Sequence, residues 1–82
     1  MALVVLPIEV ARSFADGVTE HSLEAGDVRE LMRALDARFP GIAARFESGT
    51  AIAIDGEIYQ DWFLEPIGPN SEVRFLPAIE GG

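Results

Sequence analysis

The two glycines at the end of the sequence, Gly81 and Gly82, are the residues best suited to chemistry. A glycine pair has no side chains and loses much backbone entropy on ordering, so it contributes little to a folded domain. Such a segment can instead thread a narrow channel and present the Gly82 carboxylate to an active site on another protein. The alternative is a frayed end without function, and the elements before the pair decide between the two interpretations.

Other residues offer little chemistry within the chain itself. His21 is the only histidine and there is no cysteine, which excludes a thiolate nucleophile, a disulfide and a cysteine–metal site. Asp55, Glu57 and Asp61 cluster around a predicted turn, where carboxylates are usually solvated. The serines have no neighbouring base and no nucleophile-elbow pattern. We therefore expect a non-catalytic protein that binds no metal and no cofactor.

Composition and charge limit the partners. The 82 residues suffice for one domain, and 49% of them are hydrophobic, as in a globular core. The net charge is −8, and all six basic residues are arginine. This charge repels nucleic acid and anionic lipid and favours a basic protein surface. No apolar run approaches the roughly 18 residues of a membrane span, and residues 1–7 do not resemble a signal peptide. We expect a cytoplasmic protein.

The first part of the sequence predicts two strands. Residues 3–6 and 8–10 form a nearly continuous apolar run, which predicts one strand with a bulge at Pro7. Asp16 and Gly17 both tolerate positive φ and predict a hairpin turn. A second strand over about residues 18–23 would pair antiparallel with the first.

The pattern after residue 26 predicts a helix. Asp27 is a good N-cap, and Glu30 stands three residues later, as in a capping box. Pro40 and Gly41 end the helix. Its apolar residues recur at helical spacing and predict the side that closes the core: Val28, Leu31, Met32, Leu35 and Phe39.

The second half predicts further strands. Residues 50–54 and 57–59 are strand-like and flank an Asp55-Gly56 turn, and residues 62–64 form an apolar patch before a loop at 67–71. In the last strand, apolar Val73 and Phe75 alternate with Arg74 and Leu76. The order β-β-α-β-β, with one small extra strand or helical turn as an alternative, predicts an α+β fold. We expect a mixed sheet of four to five strands curled around one helix with one face open. We expect a domain over residues 1–78 and a flexible tail over 79–82.

These elements resemble the ubiquitin-like β-grasp sulfur carriers of the MoaD/ThiS family. That family includes the small subunit of molybdopterin synthase and the thiamine-pathway carrier. The resemblance covers essentially the whole chain, and its most specific part is Phe75-Leu76-Pro77 shortly before the terminal diglycine. Residues 68–73 depart from the family's usual turn. Ala78 replaces the second proline of the molybdopterin-synthase members and is more like carriers that feed amino-acid biosynthesis.

The resemblance implies a mechanism for the tail. A separate E1-like adenylating enzyme uses ATP to convert the Gly82 carboxylate into an acyl-adenylate, and a persulfide or sulfide then displaces AMP to leave a thiocarboxylate. The carrier needs no cysteine for this chemistry. Gly81 and Gly82 would be required for reach and slimness, and Pro77 would help to direct the tail away from the sheet.

Partner contacts are expected from the open sheet face and the last strand. The contact residues would be Leu76, Phe75, Pro77 and Ile79, with Trp62 as a further candidate. Alternation with Val73 favours a core position for Phe75, which makes Leu76 the stronger surface candidate. The acceptor would be the molybdopterin-synthase large subunit or a cysteine-synthase-like enzyme.

Three functions remain open at this point. The first is a sulfur carrier for molybdopterin, or alternatively for cysteine, thiamine or another sulfur metabolite. The second is a ubiquitin-like modifier attached through Gly82 to target lysines. The third is a non-covalent interaction module. Because the chain contains no lysine, it cannot form lysine-linked chains on itself.

Overall fold

The computed structural model describes residues 1–46 and 50–77, which form a five-stranded mixed sheet and three helices. The strand order is β2-β1-β5-β3-β4, with β1 parallel to β5 and the other neighbours antiparallel. The predicted α+β mixed sheet is confirmed. In chain order the elements are β1 (Ala2–Val5), α1 (Ile8–Phe14), β2 (Glu20–Leu23), α2 (Val28–Arg38), α3 (Ile42–Arg45), β3 (Thr50–Ile54), β4 (Glu57–Tyr59) and β5 (Glu72–Pro77).

The predicted strand at residues 8–10 is wrong, because α1 occupies this segment. β1 ends at Val5, and Pro7 does not form a bulge within a longer strand. Pro7 is the N-cap residue of α1 and is extended, with φ −58° and ψ 145°. Val10 and Ala11 are buried in the core, whereas Ile8 and Glu9 are exposed. This burial follows helical spacing. The sequence did not reveal it, because the buried face of a helix and a buried strand contain the same apolar residue types.

The Asp16-Gly17 pair ends α1 instead of closing a hairpin. Both residues have positive φ, 51° for Asp16 and 84° for Gly17, and the Gly17 N–H donates to the Ala11 carbonyl at 2.9 Å. A left-handed glycine shortly after the last helical residue commonly ends a helix, because glycine adopts positive φ without strain. The strands on either side still pair antiparallel as predicted, with Ala2 opposite Leu23.

Helix α2 forms as its pattern predicts. The Glu30 N–H donates to Asp27 Oδ1 at 2.8 Å, and the Gly26 N–H donates to Glu30 Oε1 at 3.3 Å. In a standard capping box the Glu30 side chain would accept from the Asp27 N–H, but here it accepts from the N–H one residue earlier. Residues Val28, Leu31, Met32 and Leu35 are buried, and Phe39 packs partly against the same core.

The short helix α3 was allowed for as an extra helical turn, but its position after α2 was not predicted. Asp36 Oδ1 accepts hydrogen bonds from the N–H groups of Gly41 and Ala43, at 3.1 and 3.2 Å, and so holds the start of α3 against the end of α2. Ile42 and Phe46 are buried as a result, and the Phe46 ring stacks on Phe75 with centroids 4.2 Å apart. The chain therefore gains an aromatic pair beneath β5.

The core lies on one face of the sheet. Alternate residues of β1, β3 and β5 share one buried cluster with the apolar residues of α1, α2 and α3: Ala2, Val4, Ile52, Ile54, Val73 and Phe75. The opposite face is not part of this cluster. Residues 78–82, which include the predicted tail, lie outside the described part of the chain.

Candidate functional site

The outer face of the sheet is the surface formed by Leu3, Val5, Ala51, Ala53, Ile58 and Leu76, together with Glu72 and Arg74. Registration places Leu76 opposite Ala51, and Ala53 between Arg74 and Ile58. Leu3, Val5 and Leu76 are half-buried, and Ile58 is 59% exposed. The outer face thus has two alanines on β3 and larger apolar side chains on the neighbouring strands. Exposed apolar groups of this kind are typical of a protein contact surface.

The single ion pair recorded within the described residues lies on this face. Arg74 Nε is 2.6 Å from Glu72 Oε1, on the same side of β5. Both side chains are about half exposed, at 54% and 45%, so the pair contributes little to stability. It does offset one acidic charge at the middle of the outer face.

The predicted site residues fall into three groups. Leu76 lies on the outer face, as predicted, near the end of β5. Pro77 ends β5 and pairs in register with Thr50. The predicted residues Ile79, Gly81 and Gly82 lie beyond the described residues, so their placement stays a prediction.

Phe75 belongs to the core rather than to the contact surface. Its side chain is 3% exposed and stacks on Phe46 at an interplanar angle of 10°. It pairs in register with Ile52 on β3, and it lies on the same face of β5 as Val73. Phe75 therefore packs β5 against the helices of the core. The prediction that Phe75 is a partner-contact residue is corrected, because its side chain is buried.

Trp62 also has a structural role. Its indole Nε1–H donates to the Thr50 carbonyl at 2.7 Å, and its half-buried ring packs against the core. Its neighbours are the exposed apolar residues of this segment instead, since the side chain of Phe63 is 49% exposed and that of Leu64 is 74% exposed. Sequence reasoning grouped residues 62–64 as one patch; the signal that separates them is the indole N–H, which needs a partner when it is buried.

Asp55 holds the start of β5. Its Oδ2 accepts from Ser71 Oγ at 2.8 Å and its Oδ1 from the Glu72 N–H at 2.9 Å. The Glu72 N–H and the Ser71 hydroxyl stabilise the ionised carboxylate and lower the pKa of Asp55. Asp55 is therefore more than the solvated turn residue that the sequence suggested, because it fixes the β3–β4 turn against the central strand.

His21 occupies the core side of edge strand β2, opposite Val4. Its side chain is half-buried there. Its Nε2–H donates to the Val18 carbonyl at 2.7 Å, and its ring meets Phe39 edge-on at 5.1 Å. These contacts give the one histidine a packing role.

Carboxylates surround Tyr59 at the other edge of the sheet. The Tyr59 hydroxyl donates to Glu57 Oε2 at 2.7 Å. This hydrogen bond is the main cause that raises the pKa of Tyr59, with partial desolvation and the charges of Glu57, Glu65 and Asp55 acting in the same direction. The β4 edge therefore carries a negative potential.

The described residues contain neither a metal-binding cluster nor a membrane-spanning helix. Across residues 1–46 and 50–77, no three histidine, aspartate or glutamate side chains are grouped to hold a metal ion. In the same part of the chain, no helix has the length and apolar character needed to cross a membrane.

The strand order, the parallel pair of first and last strands and the helices on one face define a ubiquitin-like β-grasp domain. The chain belongs to the ThiS family, whose model matches residues 8–82. The predicted resemblance to ubiquitin-like sulfur carriers is confirmed by this match and by the fold. A sequence search of curated proteins found no match.

Several solved structures share the fold. One, of the BexX/CysO complex of Amycolatopsis orientalis, aligns with a TM-score of 0.84 and 19% identity over 100% of both chains. CysO of Mycobacterium tuberculosis, described as an antigen, aligns with a TM-score of 0.85 and 18% identity over 96% of this chain and 100% of that chain. The small archaeal modifier protein 1 of Methanosarcina acetivorans aligns with a TM-score of 0.76 and 20% identity, over 99% of this chain and 95% of that chain.

Proposed function

We propose that this protein is a sulfur carrier whose Gly82 carboxylate is adenylated and converted to a thiocarboxylate. The observation that carries the proposal is the position of β5. This central strand ends at Pro77, which pairs with Thr50 at the start of β3, and residues 78–82, which include the diglycine, follow it in the sequence. Gly82 is therefore the fifth residue after the last residue of the central strand.

The short distance from β5 to Gly82 sets a geometric requirement. Residues 78–82 span at most about 17 Å when fully extended. An enzyme that acts on Gly82 must therefore bring its active site within this distance of Pro77, and its surface must lie against the domain near the end of β5. The outer face, with Leu76 one residue before Pro77, is the apolar surface nearest in sequence to this point.

The chemistry belongs to the partner enzymes. A carboxylate oxygen of Gly82 attacks the α-phosphorus of ATP and pyrophosphate leaves. A sulfide then attacks the acyl carbon and AMP leaves, so that the terminus becomes a thiocarboxylate. When a persulfide is the donor, a thiol of the activating enzyme cleaves the resulting acyl disulfide. The carrier supplies the carboxylate and the docking surface, and it acts without a bound cofactor in the cytoplasm, where ATP is available.

Two acceptors are proposed for the sulfur. The first is the large subunit of molybdopterin synthase, which the Phe75-Leu76-Pro77 sequence favours. The second is a cysteine-synthase-like enzyme, which Ala78 favours because it replaces a second proline. Attachment to target lysines as a protein modifier is a third possibility, supported by structural similarity to the small archaeal modifier protein 1.

The activation step is tested by intact-mass spectrometry. The chain is incubated with an E1-like adenylating enzyme from the same cell, ATP and sulfide, and we expect replacement of one oxygen by sulfur. Deletion of Gly82 should abolish the mass change while the melting temperature stays that of the wild type. An unchanged wild-type mass, with an enzyme shown to activate another carrier, would contradict the proposal.

The destination is tested with the thiocarboxylate form as bait. Retention of a molybdopterin-synthase large subunit, followed by sulfur transfer to its substrate, would support the first acceptor. Retention of a cysteine-synthase-like enzyme that consumes the thiocarboxylate would support the second. Recovery of many proteins joined through lysine to Gly82 would replace both with the modifier function.

A further inference from the structure

The turn formed by residues 62–65 presents two apolar side chains to solvent. The Glu65 N–H donates to the Trp62 carbonyl at 3.0 Å, which places Phe63 and Leu64 at the tip. These side chains are 49% and 74% exposed. Adjacent large apolar groups at the tip of a loop are costly to leave in water and often mark a contact surface.

The 62–65 turn is attached to the domain on both sides. On one side, the Trp62 indole N–H donates to the Thr50 carbonyl at 2.7 Å. On the other side, the Val28 N–H donates to the Glu65 carbonyl at 3.0 Å, at the start of α2. The exposed tip is therefore held in one conformation, which lowers the entropy that a partner must remove on binding.

The same contacts place the turn beside the root of the tail. Thr50, which accepts the Trp62 hydrogen bond, is paired in register with Pro77, the last residue of β5. Any protein that receives residues 78–82 must approach this end of the sheet, and the 62–65 turn lies next to it.

The stretch of sequence that contains the turn carries only negative charges. Between Arg45 and Arg74 the sequence contains no basic residue and six acidic ones: Glu47, Asp55, Glu57, Asp61, Glu65 and Glu72. Asp61 precedes the turn and Glu65 is its last residue. The hydrogen bond to Glu57 is the main cause that raises the pKa of Tyr59, and desolvation and the charges of Glu57, Glu65 and Asp55 raise it further. A matching surface would be basic around an apolar centre.

We infer that the 62–65 turn is a second docking element, which inserts Phe63 and Leu64 into an apolar pocket with a basic rim on the protein that activates the tail. This inference rests on the proposed function. A second copy of the chain is a poor occupant, because its acidic surroundings would face the acidic surroundings of the first.

The test is ATP–pyrophosphate exchange by the E1-like adenylating enzyme, measured against carrier concentration. Leu64→Asp places a charge in the proposed pocket, and we expect the half-saturating concentration to rise about tenfold or more with the maximal rate unchanged. The matched control is Val18→Asp, at a side chain that is 53% exposed before β2, which adds the same charge elsewhere. It should change the half-saturating concentration by less than about twofold.

A second arm tests the basic rim. Asp61→Asn should weaken the dependence of half-saturation on salt, whereas Glu9→Gln, an exposed change in α1, should leave that dependence unchanged. Leu64→Ser removes the apolar side chain without adding a charge, and it should also raise the half-saturating concentration. Melting temperatures of all variants show whether each remains folded.

The outcomes separate this inference from the function on which it rests. If the wild-type chain is not adenylated, both fail. If the wild-type chain is adenylated and Leu64→Asp matches Val18→Asp, the docking inference is wrong while the carrier function stands. If sedimentation shows a wild-type dimer that Leu64→Asp dissociates, the occupant is a second copy and the inference is overturned.

Discussion

The two faces of the sheet use alternate residues of the same strands in opposite ways. Val4, Ile52 and Val73 are fully buried against the helices, whereas Val5 and Leu76, each adjacent in sequence to a core residue, are half-buried on the outer face. Strand alternation therefore separates the side chains that stabilise the fold from those available to a partner. Substitutions one residue apart should produce different losses.

The largest expected effect is at the core face. Phe75→Ala removes the ring that stacks on Phe46, and we expect a loss of about 3–5 kcal/mol in the free energy of unfolding. Leu76→Ala, one residue later and half-buried, should lose clearly less. Urea denaturation measures both, and Phe75→Leu serves if the alanine variant is unfolded. Equal losses at the two positions would contradict the assignment of faces.

The next effect is on binding at the outer face. Leu76→Asp places a carboxylate among apolar groups, and we expect the affinity for the adenylating enzyme to fall about tenfold or more. Its melting temperature should change much less than that of Phe75→Ala, and isothermal titration calorimetry measures the affinity. A large fall in melting temperature with unchanged affinity would mean that Leu76 supports the fold instead.

A smaller effect concerns acid stability at the β3–β4 turn. Because the pKa of Asp55 is lowered in the folded state, its stabilising contribution is complete above the ordinary pKa of the unfolded chain, about 3.8. That contribution is lost as the pH falls through the folded value. Asp55→Asn should therefore be less stable than the wild type at neutral pH, and the difference should shrink in acid.

Melting temperatures between pH 7 and pH 2 measure this difference for Asp55. Asp61→Asn, which also removes one carboxylate from the segment after β3, is the control for net charge. A constant difference between Asp55→Asn and the wild type across the range would show that the carboxylate's hydrogen bonds to Ser71 and Glu72 do not stabilise the fold.

The smallest effect is the salt dependence of partner binding. The net charge of −8 predicts basic partner surfaces, and exposed charges are screened within about 10 Å at 0.1 M salt. Affinity for the adenylating enzyme should therefore decline gradually as salt rises. Affinity that increases with salt would indicate a purely apolar contact.

The sequence predicted the second half of the fold more accurately than the first. Asp16-Gly17 and Asp55-Gly56 are the same dipeptide with positive φ at both residues, yet the first ends a helix and the second closes a β-hairpin. Local conformation was thus predictable at both positions. The strand before Asp55-Gly56 was also predicted correctly. The helix before Asp16-Gly17 was not, since the apolar run around Pro7 fits a strand and a helix equally well.

The contact surface was predictable only in part. Alternation in β5 correctly placed Leu76 opposite to Phe75, because a strand's period of two leaves no choice once Val73 is buried. The exposure of Phe63 and Leu64 depends on the bond from Trp62 to Thr50, across twelve positions of the sequence. Such a long-range contact has no local signature.

Methyl cross-saturation in the complex with the adenylating enzyme tests the division between faces most directly. With Leu, Val and Ile methyl groups labelled in the carrier, saturation should reach Leu3, Val5, Ile58 and Leu76 on the outer face, together with Leu64. The methyl groups of Val4, Ile52 and Val73, on the same strands, should be unaffected. Saturation confined to the exposed residues of α1 or α2, with the outer-face methyl groups silent, would contradict the account.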